Sequence, residues 1–192
     1  MNDADADFNA DADAPVRALG EALRTRGLRL ASAESCTGGL IAAACTAVAG
    51  SSDWFERGFV TYSNEAKSEM LGVDAALIAA HGAVSAEVAR AMADGALAYS
   101  RAHLSVAVTG VAGPGGGSAH KPVGTVWLAL ARKGRPARAE LLRLAGDRRA
   151  VRLQTVAHAL QRLQREVAAG IDAGDAADAA DAADASDAAP QG

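Results

Sequence analysis

An α/β layered fold is what this 192-residue chain predicts, with about five strands in a mixed sheet. Helical and strand patterns alternate from Val16 to Ala168, turn residues punctuate them, and the last two strands are close enough to form an antiparallel hairpin. Val16 to Arg26 opens as a helix with Leu19 and Leu23 one turn apart and Gly27 as its stop, and L-R-L-A-S-A from Leu28 follows as a short strand. Thr37 to Val48 reads as a small-residue helix entered through S-C-T-G-G, and G-F-V-T-Y-S as the second strand. Asn64 to Leu71 is a helix with Asn64 near its cap, Asp74 to Ala80 another, and Ser85 caps a long helix to Ser100 whose first turn carries Glu87. L-S-V-A-V-T then runs into a glycine-rich loop. V-G-T-V-W-L-A-L-A and A-R-A-E-L-L-R-L are two strands around a G-R-P turn, and Asp147 to Ala168 closes as a helix.

Half of the residues are apolar but only 4% are aromatic, so the core must be built from small aliphatic side chains. No run approaches the ~18 apolar residues of a membrane span, and the acidic start lacks a secretory signal, so a cytoplasmic protein is expected. Cys36 and Cys45 form a poor disulfide framework and a poor zinc site, and the four histidines (His81, His103, His120, His158) are scattered, so no metal is expected. The D-A runs of residues 1–14 and the D-A-A repeats of residues 171–192 have little to bury and are expected to be disordered, leaving residues 15–170 as the folded domain. Those ends hold 11 aspartates, which leaves 12 acids against 19 bases between them, a net of +7. A basic body favours an anionic ligand, whether a phosphorylated metabolite or a nucleic acid.

Ligands of open α/β sheets collect where strands end at their carboxyl edge, and three segments fit that place. In Ala33-Glu34-Ser35-Cys36-Thr37-Gly38-Gly39 a strand turns into a helix, offering glycines for close approach and unpaired amides to an anion or oxyanion. Ser35 reads there as a nucleophile or, as readily, as a helix cap. Cys36 is a rival nucleophile, against the alternative of a buried, inert thiol. Thr61-Tyr62-Ser63-Asn64-Glu65-Ala66-Lys67 brings a phenol and an amine to the same edge if Tyr62 precedes the helix and Lys67 lies about one turn inside it. The bland readings are an ordinary strand aromatic and a solvated helix charge. The third segment, Thr109 to Gly117, is suited to wrapping a ligand with backbone amides. Arg148 or Arg149 in G-D-R-R reads as a phosphate grip or as surface charge. No histidine has a context marking it as a base, so nothing supports a Ser-His-Asp triad.

Taken in order, A-E-S-C-T-G-G, G-S-S-D-W-F, V-T-Y-S-N-E-A-K, L-G-V, G-A-V-S-A-E-V-A-R-A-M-A, A-V-T-G-V-A-G-P-G-G-G, K-P-V-G-T-V-W-L-A-L-A and G-D-R resemble the C-terminal domain of the competence-damage-inducible (CinA) proteins. That domain also occurs alone as nicotinamide mononucleotide deamidase. The likeness runs from about Leu28 to about Arg152. It implies a three-layer α/β/α fold, commonly a homodimer, and hydrolysis of the nicotinamide carboxamide without metal or cofactor. It further implies Ser35 as nucleophile, with Lys67 and Tyr62 as candidates for the proton acceptor. Cys36, Thr37, Gly38 and Gly39 would line the oxyanion and substrate site, while Thr109, Gly110, Gly113, Gly115 and Arg148 would hold the ribose phosphate. Full-length members add a pyrophosphatase-like domain, whose activity is expected to be absent here. The competing reading is a non-catalytic nucleotide-binding or regulatory module linked to competence or DNA processing. Against it, no basic cluster interleaves with aromatics, and nucleic acid is not the expected partner.

Overall fold

Each helix start in the middle of the chain is set by a side-chain oxygen that catches an otherwise unpaired amide. A computed structural model describes the backbone of residues 3–170 and the side chains of residues 14–170. Its elements are α1 (Asp3–Thr25), β1 (Leu30–Glu34), α2 (Leu40–Thr46), β2 (Phe55–Val60), α3 (Asn64–Leu71), α4 (Ala75–His81), α5 (Ala86–Ala98), β3 (Leu104–Gly110), β4 (Thr125–Arg132), β5 (Arg135–Arg143) and α6 (Arg148–Ala168). Ser63, Asp74, Ser85 and Asp147 cap α3, α4, α5 and α6 through the amides of Ala66, Ala76, Val88 and Ala150. The cap of α3 is therefore Ser63, one residue before the expected Asn64.

Several boundaries differ from the sequence reading for local reasons, among them α2, which starts at Leu40 and not at Thr37 because residues 36–39 form a turn around the Glu34 carboxylate. α1 begins at Asp3 and carries Pro15 inside it, so the acidic run before residue 15 is helical where disorder is expected. Alanine has the highest helix propensity, and aspartates suit the positive end of a helix. β2 starts at Phe55 and stops at Val60, because it is an edge strand with little apolar alternation to mark it. The β4–β5 turn is Lys133-Gly134, with Gly134 at φ 77, and Pro136 sits within β5. An edge strand tolerates a residue that cannot donate to a ladder. The D-A-A tail from residue 171 lies outside the described residues.

The strands lie in the order β2-β1-β3-β4-β5, with β1 parallel to both β2 and β3, and with β3, β4 and β5 successively antiparallel. Central β1 is buried along its whole length, and its side chains alternate between two cores. Leu30, Leu104, Val106, Val108, Val126 and Leu128 face one core, which α1, α2 and α6 complete with Leu19, Leu23, Ile41, Val156 and Leu160. Ala31, Ala33, Ala107, Ala129 and Ala131 face the other, where α5 brings Ala89, Met92, Ala93 and Ala96. Helix, sheet and helix make the three expected layers. The alanine-on-alanine face lets α5 lie close to the sheet, and the helix also presses on α3. A Cβ at Gly95 would stand 2.1 Å from the Leu71 carbonyl oxygen.

Glu34 pairs with Val60 on one side and Val108 on the other, so β1, β2 and β3 all end at one edge. The residues that follow them, Ser35, Thr61, Tyr62 and the loop after Gly110, must converge there. No helix among the described residues is long and apolar enough to cross a membrane.

Candidate active site

At that edge Lys67 Nζ lies 3.2 Å from Ser35 Oγ. Ser35 reaches the position because it is the first residue past β1, where its amide still donates to the Val108 carbonyl at 3.0 Å. Lys67 comes from α3, one turn inside the Ser63 cap, with its stem packed in the protein and the residue only 1% exposed. Its Nζ also donates to the Thr61 carbonyl at 2.9 Å and the Ser63 carbonyl at 3.4 Å. Burial strips water from the ammonium form and lowers the lysine pKa, with Cys36 and Glu65 pulling weakly the other way. An amine whose charged form is disfavoured, placed beside a hydroxyl, is suited to act as a base toward it.

Burial works against the neighbouring thiol as a nucleophile. Burial, assisted by the nearby Glu34 carboxylate, pushes the Cys36 pKa up to about 12 despite the amides of Cys36 and Thr37 beside it. Cys36 lines the cleft as a small apolar group. Histidines are placed elsewhere: His103 Nδ1 accepts from the Arg29 amide at 3.0 Å at the opposite end of the sheet, and His81 faces Glu87.

Part of the glycine turn after Ser35 is occupied from within the chain. The amides of Gly39, Ile41 and Ala42 are bound by a buried carboxylate of the chain itself. Glu34 Oε2 accepts from Thr37 Oγ1 at 2.8 Å, Gly39 N at 3.0 Å and Ile41 N at 2.9 Å, and Oε1 accepts from Ala42 N at 2.8 Å and Ser32 Oγ at 3.2 Å. Gly38 N turns back to the Ser35 carbonyl at 3.1 Å. The Thr37 hydroxyl and the Gly38 and Gly39 amides are therefore used within the chain, whereas the Cys36 and Thr37 amides have no described bond to a protein oxygen. The two glycines adopt left-handed φ values of 61 and 97, which lets the turn fold around the carboxylate. The sequence reading gives Glu34 no role, although its place immediately before the candidate nucleophile Ser35 is the available signal.

The cleft itself, about 240 Å³, is lined by Ser35, Cys36, Lys67, Thr109, Gly110 and Arg148, with Tyr62 also lining it. Tyr62 is 61% exposed, and its hydroxyl accepts from Arg148 Nη2 at 3.0 Å, while Lys67 bonds to Ser35 and to carbonyls. The phenol thus belongs with the arginine and not with the serine–lysine pair. Arg148 Nη1 donates to the Gly113 carbonyl at 3.0 Å, so the guanidinium is held in place from two sides. The Thr109 hydroxyl donates to the Ala83 carbonyl at 2.8 Å and ties the α4–α5 loop to the end of β3. Gly110 is needed for strand packing, since a Cβ there would meet Val126 Cγ2 at 2.7 Å. A Cβ at Gly113 would meet Val123 in the same way, and Gly113 contributes its carbonyl, whereas a Cβ at Gly115 would meet no atom within 4 Å.

Asn64, Ala83, Val84 and Ala112 complete the lining, and none carries a pattern that sequence reasoning could have used. Arg152 was also unforeseen. From the second turn of α6 its Nη2 donates to the Thr37 carbonyl at 2.8 Å, bracing the turn from outside.

Known proteins share this architecture. A family model described as the CinA C-terminal domain matches residues 13–167. The "Nicotinamide-nucleotide amidohydrolase PncC" of Escherichia coli K12 is 53% identical over 152 residues, covering 77% of this chain and 90% of that protein. A "Putative competence-damage inducible protein" of Symbiobacterium thermophilum is 51% identical over 173 residues, and the chain spans only 41% of its length. The crystal structure of "competence/damage inducible protein CihA" from Agrobacterium tumefaciens superposes with a TM-score of 0.78 at 49% identity, over 80% of this chain and 93% of that one. The match extends over nearly all of the described residues and includes the strand-end turns that build the cleft, and the chain belongs to the CinA C-terminal domain family.

Proposed function

We propose that the chain hydrolyses the carboxamide of nicotinamide mononucleotide, giving nicotinate mononucleotide and ammonia, with Ser35 as nucleophile and Lys67 as its base. The observation that carries the chemistry is the desolvated amine 3.2 Å from the serine hydroxyl at the floor of a cleft. The substrate is supported by the amidohydrolase name of a relative of which the chain spans 90%.

In this reading neutral Lys67 takes the proton from Ser35 as Oγ adds to the carboxamide carbon. Lys67 then returns that proton to the departing nitrogen, and ammonia leaves. Water, deprotonated by the again-neutral Lys67, attacks the acyl-serine and frees the acid, restoring both groups. The Cys36 and Thr37 amides are the turn donors without a described bond to a protein oxygen, and they are assigned to the developing oxyanion. Arg148, held by Gly113 and Tyr62, is assigned to the phosphate. The lysine supplies the base, so the scheme requires no metal or cofactor. The two free buried cysteines suit a reducing compartment and support the reading of a cytoplasmic enzyme, and the family resemblance supports a homodimer.

The test is ammonia release from nicotinamide mononucleotide by purified protein, with and without chelator. Ser35→Ala is expected to lose roughly a thousandfold or more in kcat. Retained turnover in that variant would remove the serine from the mechanism. Salt-dependent DNA binding without turnover would favour the regulatory module instead.

A further inference from the structure

We propose that Glu34 is a positioning residue whose buried carboxylate closes the turn around the nucleophile, holding the Ser35 hydroxyl against Lys67 and so governing turnover rather than substrate affinity. The inference deepens the amidase reading and rests on Ser35 being the nucleophile.

The partners of the carboxylate lie on both sides of Ser35: Ser32 upstream, and Thr37, Gly39, Ile41 and Ala42 downstream. Residues 35 and 36 are therefore enclosed in a loop whose two ends are tied to a single group. That group is fully buried, where such bonds are electrostatically strong and where no water competes for them. The Glu34 main chain sets the base as well. Its carbonyl accepts from the Thr61 amide at 2.9 Å, and the Thr61 carbonyl in turn accepts from Lys67 Nζ at 2.9 Å. One residue thus registers nucleophile and base against each other, the first through its side chain and the second through its backbone.

Helix capping alone does not explain the arrangement. Position 39 is a left-handed glycine with no side chain to cap α2, and the acceptor for its amide comes from five residues upstream. Two left-handed glycines are needed to bend the chain around it. A buried carboxylate and a turn that needs two left-handed glycines are an elaborate way to start a seven-residue helix, but an effective way to immobilise the residue between them.

Glu34→Gln keeps the shape while turning an NH2 group either toward the Ala42 amide and the Ser32 hydroxyl or toward the Thr37 hydroxyl and the Gly39 and Ile41 amides. Two readouts separate positioning from stability: kcat and KM at a temperature where circular dichroism is native, and the rate at which a fluorophosphonate probe labels Ser35 with loss of fluoride, followed by mass spectrometry. The expected result is a fall of about 100-fold in kcat, with KM within about threefold and labelling slowed in parallel. A native variant with unchanged kcat and labelling would overturn the proposal and leave the carboxylate as a helix cap. If Glu34→Gln does not fold, Thr37→Val removes one of the five bonds and is expected to lower kcat and labelling about tenfold, and no change in either would overturn it. Wild-type protein that labels at Ser35 without releasing ammonia from nicotinamide mononucleotide would refute the substrate while labelling alone still decides the role of Glu34. Protein that does neither would sink both.

Discussion

The β1–α2 turn and the β2–α3 corner each bury one ionisable side chain at the same sheet edge, and they treat it in opposite ways. Glu34 has five donors pointed at it and is saturated. Lys67 has a hydroxyl and two carbonyls, and burial favours its uncharged form. The first environment makes a charge part of the framework. The second keeps an amine reactive at some cost in stability, since the unfolded chain binds the proton more readily than the native one.

Replacing the amine sharpens that contrast most. Lys67→Met keeps the packed stem, and is expected to lower kcat by roughly a thousandfold while stability to urea falls by no more than about 1 kcal/mol. A large loss of stability would mean that Lys67 is structural. Glu34→Ala should behave in the reverse sense. It orphans three helix amides and two hydroxyls, and a loss of about 4 kcal/mol in urea denaturation is expected; a change below about 1 kcal/mol would show the turn to be held by other contacts.

The pH dependence follows from the direction of the lysine shift. Because the folded pKa lies below the ordinary 10.5, the active neutral form persists to lower pH than for an exposed lysine. Activity should fall about tenfold per pH unit once the pH drops below that lowered pKa. The stability cost is complete below the same point and fades as pH rises toward 10.5. A kcat/KM that instead rose on acidification would exclude the amine as base. The smallest effect expected is for Tyr62→Phe, which removes the hydroxyl from Arg148 and leaves Lys67 and Ser35 in contact. A loss of about tenfold or less in kcat/KM, carried mainly by KM, separates a rim residue from a proton acceptor; a thousandfold loss in kcat would return the phenol to the chemistry.

Much of the fold was legible because its signals are local. Ser85, Asp74 and Asp147 act as caps where a short polar side chain precedes a helix, and β3 and β4 are apolar runs bounded by glycines. β2 was read three residues late because an edge strand, half exposed, does not alternate cleanly. The two glycine-rich turns also looked alike, although one encloses Glu34 and the other supplies the Gly113 carbonyl to Arg148.

By itself the amino-acid order determined the alternation of elements, the all-small face between α5 and the sheet, and the presence of Ser35 and Lys67 at strand ends, since each depends on neighbours a few residues away. Only the tertiary structure decided which groups meet. Ser35 and Lys67 are 32 residues apart, and Tyr62 and Arg148 are 86 apart. Whether an amide at a helix start is open to a ligand or already taken depends on where one carboxylate points, and chain pattern carries no record of that direction. Burial decided it, because a charge enclosed between β1 and α2 must find donors inside the protein.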